Sequence, residues 1–283
     1  MLKGFIVSRY TNMSESYVCQ RLIEEASLQG VSLKTIGVYD SYILNGELNT
    51  LQKDKAIYDF GINRYKWNRT KDAFGPYARR FYNETEAFNK YVSKYEQVKN
   101  LKSDSFVMPK YVLSTANIDF EILKGELSLP FVAKGLESSE GKEIHLIEKI
   151  DDYTELLKLY GPDKELLFQE FIAQSFGRDI RLFSIRGDVV ACLTRSSQND
   201  FRSNFALGGS IEALALNEGY QNIARDIYLQ TDLDFLGIDL LYGETKPYFC
   251  EINVMPGFKG AENASGVNIA KKIIETIRGD FHE

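Results

Sequence analysis

A chain of 283 residues, 44% hydrophobic and 26% charged, has the composition of a soluble globular protein of two or three lobes. Its net charge of −6 comes without any block of like charge, which argues against a general polyanion binder but leaves room for a small phosphate ligand. No apolar run approaches the ~20 residues of a membrane span, and the start MLKGFIVSRY lacks the pattern of a signal peptide. The three cysteines, Cys19, Cys192 and Cys250, lie far apart in apolar surroundings and read as reduced thiols of a cytoplasmic protein. With only His145 and His282 present, histidine triads and multi-histidine zinc sites are excluded, and His145 reads as an ordinary exposed strand residue.

In chain order the pattern predicts a strand over 4–8, a helix over 17–29 closed by Gly30, and strands over 31–38 and 58–63. This alternation is that of a small open α/β lobe. Residues 77–101, rich in Tyr, Lys and Glu, read as helical. A second lobe follows, with strands over 130–134, 143–147 and 166–172 and a helix over 152–160. The third carries strands over 180–185 and 189–194, a helix over 218–230, a hairpin of strands over 235–242 and 248–253, and a last helix over 267–277. The apolar stripes of the two late helices are core.

The hairpin is the most informative stretch. Asp239 interrupts an apolar run, and Glu251 and Asn253, two apart, face one side of their strand. If Tyr242 opposes Tyr248 across the turn 243–247, Asp239 faces Glu251. Like charges so placed repel by about 4 kcal/mol at ~4 Å and an effective dielectric of 20. A hard cation reverses that sign, so the three residues read as a magnesium site. The plainer alternative puts both acids in solvent, against which stand the apolar neighbours Ile238, Leu240, Cys250 and Ile252.

The loop 135–142 (GLESSEGK) joins two strands and differs from a P-loop: five residues separate its glycines, and Glu143 and a strand follow the lysine. It fits either a glycine hairpin covering phosphates or a plain turn. Lys134 ends an apolar strand, where it either points its charge at a phosphate or lays its stem on the surface. Of 13 arginines, five (Arg178, Arg181, Arg186, Arg195, Arg202) fall within 178–204, and no lysine occurs between Lys164 and Lys246. Arginine's fork suits oxyanions, and Arg195 and Arg202 could converge on one site. Arg186, beside Gly187 in a turn, reads as solvated, and Arg178 is open. The end of the strand at Gln169–Ile172 offers backbone groups and an apolar slot to an adenine edge.

Taken together, Lys94, Lys134 with its glycine loop, QEFI at 169–172, GRDIR at 177–181, DFRSN at 200–204, GIDLL at 237–241 and CEINVMPG at 250–257 resemble the ATP-grasp superfamily. Within it the likeness is to the RimK-like branch that adds glutamate to a ribosomal protein. The resemblance covers nearly the whole chain. It implies an α/β (α+β) ATP-grasp fold of three lobes: an N-terminal domain over 1–92, a central lobe with the phosphate loop over 93–177, and a C-terminal lobe with the metal site over 178–283. It implies ATP and magnesium (or manganese) as cofactors. Lys94, Lys134 and Gly141 would meet the phosphates, Glu170, Phe171 and Ile172 the adenine, and Asp179 the ribose. Arg202, Ser203 and Asn204 would meet the phosphate and acyl-phosphate region, with Arg195, Arg202 and Asn204 in catalytic roles. Asp239, Glu251 and Asn253 would hold the metal. The implied reaction is an ADP-forming ligation of a carboxylate to an amine through an acyl phosphate. The partners would be an amino acid, such as glutamate, and a peptide, protein or small carboxylate acceptor, with neither nucleic acid nor membrane, in a chain that could form homo-oligomers. Closure of lactone or lactam rings in a peptide, or nucleotide binding without catalysis, are the other readings. The family carries aspartate where this chain has Ser93. Arg9 and Arg64 fit either a substrate carboxylate or the plain surface.

Overall fold

The computed structural model describes residues 1–12, 16–50, 57–66, 69–138, 141–197, 200–202 and 209–281. The chain opens with β1 (Lys3–Ser8), α1 (Tyr17–Leu28) and β2 (Ser32–Gly37), a strand, helix and strand as the apolar periodicity predicts. Ser16 caps α1 by accepting from the Cys19 amide. A hairpin of β3 (Ser41–Leu44) and β4 (Glu47–Thr50) turns on Asn45 and Gly46, both at positive φ. Then come β5 (Tyr58–Asn63), a 3₁₀ stretch over Arg69–Tyr77, and β6 (Ala78–Tyr82). The four strands β2-β1-β5-β6 form one parallel sheet.

The expectation of helix across 77–101 is corrected here. Its first residues pair with β5 as the edge strand β6, and only then do α2 (Thr85–Tyr91) and α3 (Lys94–Asn100) follow. Sheet pairing overrides local propensity at that edge.

The central lobe packs β7 (Tyr111–Thr115), α4 (Phe120–Leu127), β8 (Phe131–Gly135), β9 (Ile144–Ile147), α5 (Ile150–Tyr160) and β10 (Glu165–Glu170). Its antiparallel sheet runs β7-β10-β8-β9. The last part holds β11 (Arg178–Ile185), β12 (Asp188–Ser196), β13 (Ser210–Ala213), α6 (Glu218–Thr231), β14 (Phe235–Leu241), β15 (Tyr248–Asn253), α7 (Lys259–Ser265) and α8 (Ile269–Gly279). Its antiparallel sheet is ordered β13-β12-β11-β14-β15.

One face of this last sheet (Leu182, Ile238, Leu240, Phe249) buries against α2, α3 and α6. The other (Phe183, Ile185, Leu193, Phe235) shares a core with α7, α8, α1 and the N-terminal strands. The C-terminal helices therefore tie the last sheet to the first. Among the described residues no helix is long and apolar enough to cross a membrane.

Candidate functional site

The hairpin pairs Asp239 with Glu251 across β14 and β15. The pairing nearer the turn is Leu241 with Tyr248, one residue off the expected Tyr242–Tyr248, and an irregularity between Asp239 and Leu240 absorbs the difference at Cys250. Asp239 is buried and Glu251 half-buried. Protein cations offset the repulsion between them. Arg181, directly opposite Asp239 on β11, donates from Nη2 to Oδ2 at 2.6 Å, and Nε pairs with Oδ1. Arg195 lies 3.1 Å from the same carboxylate, and Lys94 Nζ lies 3.3 Å from Glu251. Burial pushes the Asp239 carboxyl up, but the charges of Arg181 and then Arg195 outweigh it and hold it below the usual carboxylate range. Asn253 pairs with Gly237, and its side-chain oxygen accepts from the Met255 amide at 3.0 Å. Among the described residues no three Asp, Glu, His or Cys side chains converge on one point. The donor chemistry of Asp239, Glu251 and Asn253, two carboxylates and an amide, still fits a hard cation that takes its other oxygens from water and phosphate.

Beside the hairpin opens a cleft. Lys134, Glu170, Phe171, Ile172, Asp179, Arg195, Arg202, Asp239 and Glu251 all line it. Lys134 is buried at the end of β8 and donates to Gln169 Oε1 at 2.5 Å. The Gln169 side-chain nitrogen is left buried and without a partner, in the wall of the cleft. Arg195 and Asp179 face each other across β12 and β11, with Nε to Oδ1 at 2.7 Å. Burial would lower the Arg195 pKa, yet Asp239 and Asp179 together raise it. Arg202 spans the mouth, holding Asp200 (Nη2 to Oδ2, 2.6 Å) and donating from Nη1 to the Gly141 carbonyl of the glycine loop at 2.8 Å.

At the other end, Phe171 packs edge-on against Phe176 and Phe201, both at 6.3 Å between ring centres. The bend that brings Phe201 there requires glycine at 177. Its φ is +65°, and a Cβ would come within 2.6 Å of the Ser197 carbonyl. The Glu170 carboxylate is taken up by the Lys110 amide at 2.9 Å.

Lys94 is buried at the first turn of α3, donates to the Ser138 carbonyl at 2.6 Å and so links the glycine loop to Glu251. Ser93 takes the N-cap position, where serine is about as favoured as aspartate, although its hydroxyl makes no capping bond. Lys94, Gly141 and Asn253 adjoin the cleft residues without forming part of its wall. Ser203 and Asn204 lie outside the described residues.

Two readings need correction. Arg186 is not solvated: it pairs with Asp234 at 2.9 Å and grips Asp280 with both terminal nitrogens, Nη1 at 2.8 Å. His145 is half-buried rather than exposed, with Nε2 2.8 Å from the Tyr160 hydroxyl, and burial followed by the Arg202 charge lowers its pKa. Sequence reasoning gave Arg181 no role, although GRDIR and GIDLL supply the signal once the two strands are aligned. Arg178 lies over the Tyr242 ring at 4.6 Å. The cysteines are free thiols, and burial pushes Cys250, in the cleft wall, up to about 12.

The model of the RimK-like ATP-grasp domain family matches residues 93–277. A probable alpha-L-glutamate ligase of Psychromonas ingrahamii is 29% identical, with 98% of this chain and 95% of the relative covered. The ATP-grasp ligase PsnB, complexed with minimal precursor, superposes with a TM-score of 0.74 at 15% identity, over 98% of this chain and 99% of that one. With Mg and ADP also bound, PsnB gives 0.71 at 16% identity, over 98% and 96%. The RiPP-associated ATP-grasp ligase of Chryseobacterium gregarium, in complex with ADP and a leader and core peptide, gives 0.71 at 18% identity, over 99% and 97%. These superpositions establish the three-lobed α/β architecture as the ATP-grasp fold. With its own family matched over well more than half its length, the chain belongs to the RimK-like ATP-grasp family and is an ADP-forming ligase of carbon–nitrogen bonds.

Proposed function

We propose that this ligase activates a carboxylate with ATP and Mg²⁺ and adds an amino acid, of which glutamate is the leading choice, to a peptide, protein or small-molecule acceptor. The observation that carries it is the convergence of Lys134, Arg195, Arg202 and the register-matched pair Asp239 and Glu251 on one cleft. The 29% identity to a probable glutamate ligase over nearly the whole chain supports the choice of amino acid.

The working division is an N-terminal domain over 1–92, a phosphate-loop lobe over 93–177 and a metal-site lobe over 178–283. Lys94, Lys134 and the loop ending at Gly141 neutralise the ATP phosphates. Glu170, Phe171 and Ile172 receive the adenine and Asp179 the ribose. Asp239, Glu251 and Asn253 would hold Mg²⁺, or Mn²⁺ in its place, whose chemistry when bound is to neutralise phosphate charge and align the reacting oxygens.

An acceptor carboxylate oxygen attacks the γ-phosphorus, and the bond to the bridging oxygen of ADP breaks. The amine then attacks the acyl carbon, loses a proton, and inorganic phosphate departs as the amide forms. Neither step demands a protein nucleophile, so positioning and charge carry the catalysis. Arg195 and Arg202, with Ser203 and Asn204 directly after Arg202 in sequence, stabilise the charge that builds on the transferring group. Arg202 bonded to Gly141 holds the loop down over the phosphates, and such closure keeps water from the acyl phosphate.

The test is mass spectrometry of products formed with ATP, Mg²⁺, candidate amino acids and candidate acceptors. The ligase reading expects ADP release and an acceptor heavier by one amino-acid residue or several. Loss of water from a peptide without amino-acid addition identifies a ring-forming enzyme instead. ATP binding without ADP release under every mixture overturns both.

A further inference from the structure

The N-terminal sheet has a crevice built by its topology. From β1 the chain crosses through α1 to β2 on one side, then returns past β1 to β5 on the other. The connections therefore diverge between the C-terminal ends of β1 and β5, the place where open parallel sheets bind ligands. The residues that leave those two strand ends are Arg9 and Arg64. The Arg64 amide continues the pairing by donating to the Val7 carbonyl at 3.0 Å, and the Arg9 carbonyl accepts from the Tyr39 amide at 3.0 Å.

Arg64 is unlike the other enclosed arginines. Arg21, Arg181, Arg186 and Arg195 each face at least one carboxylate. Arg64 donates from Nη1 to the Pro256 carbonyl at 2.9 Å and, among the described residues, pairs with no acid. It is half-buried, and partial loss of water pulls its pKa down to about 10, which still leaves it charged at neutral pH. A guanidinium enclosed without a counter-ion is costly, and an arriving anion relieves that cost. Arg9 is exposed, its guanidinium 5.4 Å from the Tyr10 ring centre and 5.2 Å from that of Tyr39.

Pro256 links Arg64 to the strand that borders the cleft. A Cβ placed on Gly237 of β14 would lie 3.1 Å from both Pro256 Cβ and Arg181 Nη1. Arg64 thus holds the peptide that packs over the strand bearing Asp239. Close by in sequence, Lys66 Nζ donates to the Glu137 carbonyl of the glycine loop at 3.1 Å.

We propose that Arg64 binds the free α-carboxylate of the amine-donating amino acid and so aims its amine at the cleft. The donor keeps this carboxylate throughout amide formation, and a fixed guanidinium fork orients it bidentately while excluding amines that lack it. The assignment rests on the ligase reading given above, and its test separates the two.

Wild type, Arg64→Met and Arg64→Lys are titrated with the twenty amino acids and their α-amides in the presence of Mg-ADP, by thermal shift and calorimetry. An amino acid, with L-glutamate foremost, is expected to bind wild type, and its α-amide at least about ten-fold more weakly. Arg64→Met should lose at least about ten-fold in affinity for the acid and little for the amide, with its response to Mg-ADP intact. An acid and amide that bind wild type alike, no amino acid binding at all, or an acid affinity unchanged in Arg64→Met each overturn the assignment. Absence of any Mg-ADP response in wild type sinks the ligase reading itself. If Arg64→Met alone loses that response, Arg64→Lys decides. A normal Mg-ADP response with weakened acid binding supports the carboxylate site, and unchanged acid binding refutes it.

Discussion

Two arginine–aspartate networks meet β14, one around Asp239 within the strand and the other around Asp234 just before it. In the first, Asp239 is held by Arg181 and Arg195, with Asp179 on the far side of Arg195. In the second, Asp234 and Asp280 are held by Arg186 and Arg80, and the Tyr82 hydroxyl donates to Asp280. Both contain half-buried or buried ions, and sequence alone does not tell them apart. Their surroundings do. The first lines a cleft beside a glycine loop, whereas the second clamps the edge strand β6 to the end of α8 and so braces the N-terminal sheet on the C-terminal one. Arg80 and Asp234 of the second network also border an open groove, so clustered arginines mark a functional site here only through the company of a glycine loop and an apolar slot in the same cleft.

Substitutions sharpen that contrast. Asp239→Asn should cut turnover by at least about 10²-fold and lower stability by about 3 kcal/mol, because the buried Arg195 and the half-buried Arg181 lose their shared acid; retention of normal kcat would erase the distinction between the networks. Lys134→Ala should weaken ATP binding about ten-fold with little change in unfolding, and unchanged nucleotide affinity in calorimetry would remove Lys134 from the phosphate site. Arg186→Met should do the reverse. Its pairs are partly exposed, so a loss of about 2 kcal/mol in denaturant unfolding is expected, with kcat and KM at low temperature as in wild type.

The smallest effect is on the pH dependence of stability. The hydrogen bond from Arg186 holds the Asp280 carboxyl below its ordinary value, against burial, with Tyr82 adding to the same effect. A depressed folded pKa contributes stability that is fully present above the unfolded value of about 4 and is lost as pH falls through the folded one. Asp280→Asn should therefore flatten the fall of unfolding free energy between about pH 5 and pH 2. An identical acid limb in both proteins would contradict the assignment. Asp234 moves the other way, since burial outweighs Arg186 and raises it.

The strands and helices with strong periods were legible; the opposition of Asp239 and Glu251 was expected too, but from a register one residue off at the turn, which the irregularity at Cys250 makes good. That irregularity was not legible, since it leaves no mark in residue type. The hairpin on Asn45 and Gly46 carried a readable turn signal that lay outside any strong strand pattern. Strand β6 was hidden because a short edge strand with Arg79 and Arg80 has no apolar alternation. The cleft's acids and cations could be named from sequence, but not their pairing. That Arg181 faces Asp239 depends on which strands are neighbours in the sheet. Arg186 was misread for the same reason, its partners lying 48 and 94 residues away.

ADP release measured against magnesium concentration, in wild type and Glu251→Gln with the amino acid and acceptor present, bears most directly on the ligase account. Wild type should turn over only with the divalent ion, and the variant should fold, bind nucleotide and release no ADP above background. A Glu251→Gln enzyme that releases ADP at the wild-type rate, with the same response to magnesium, would contradict the account.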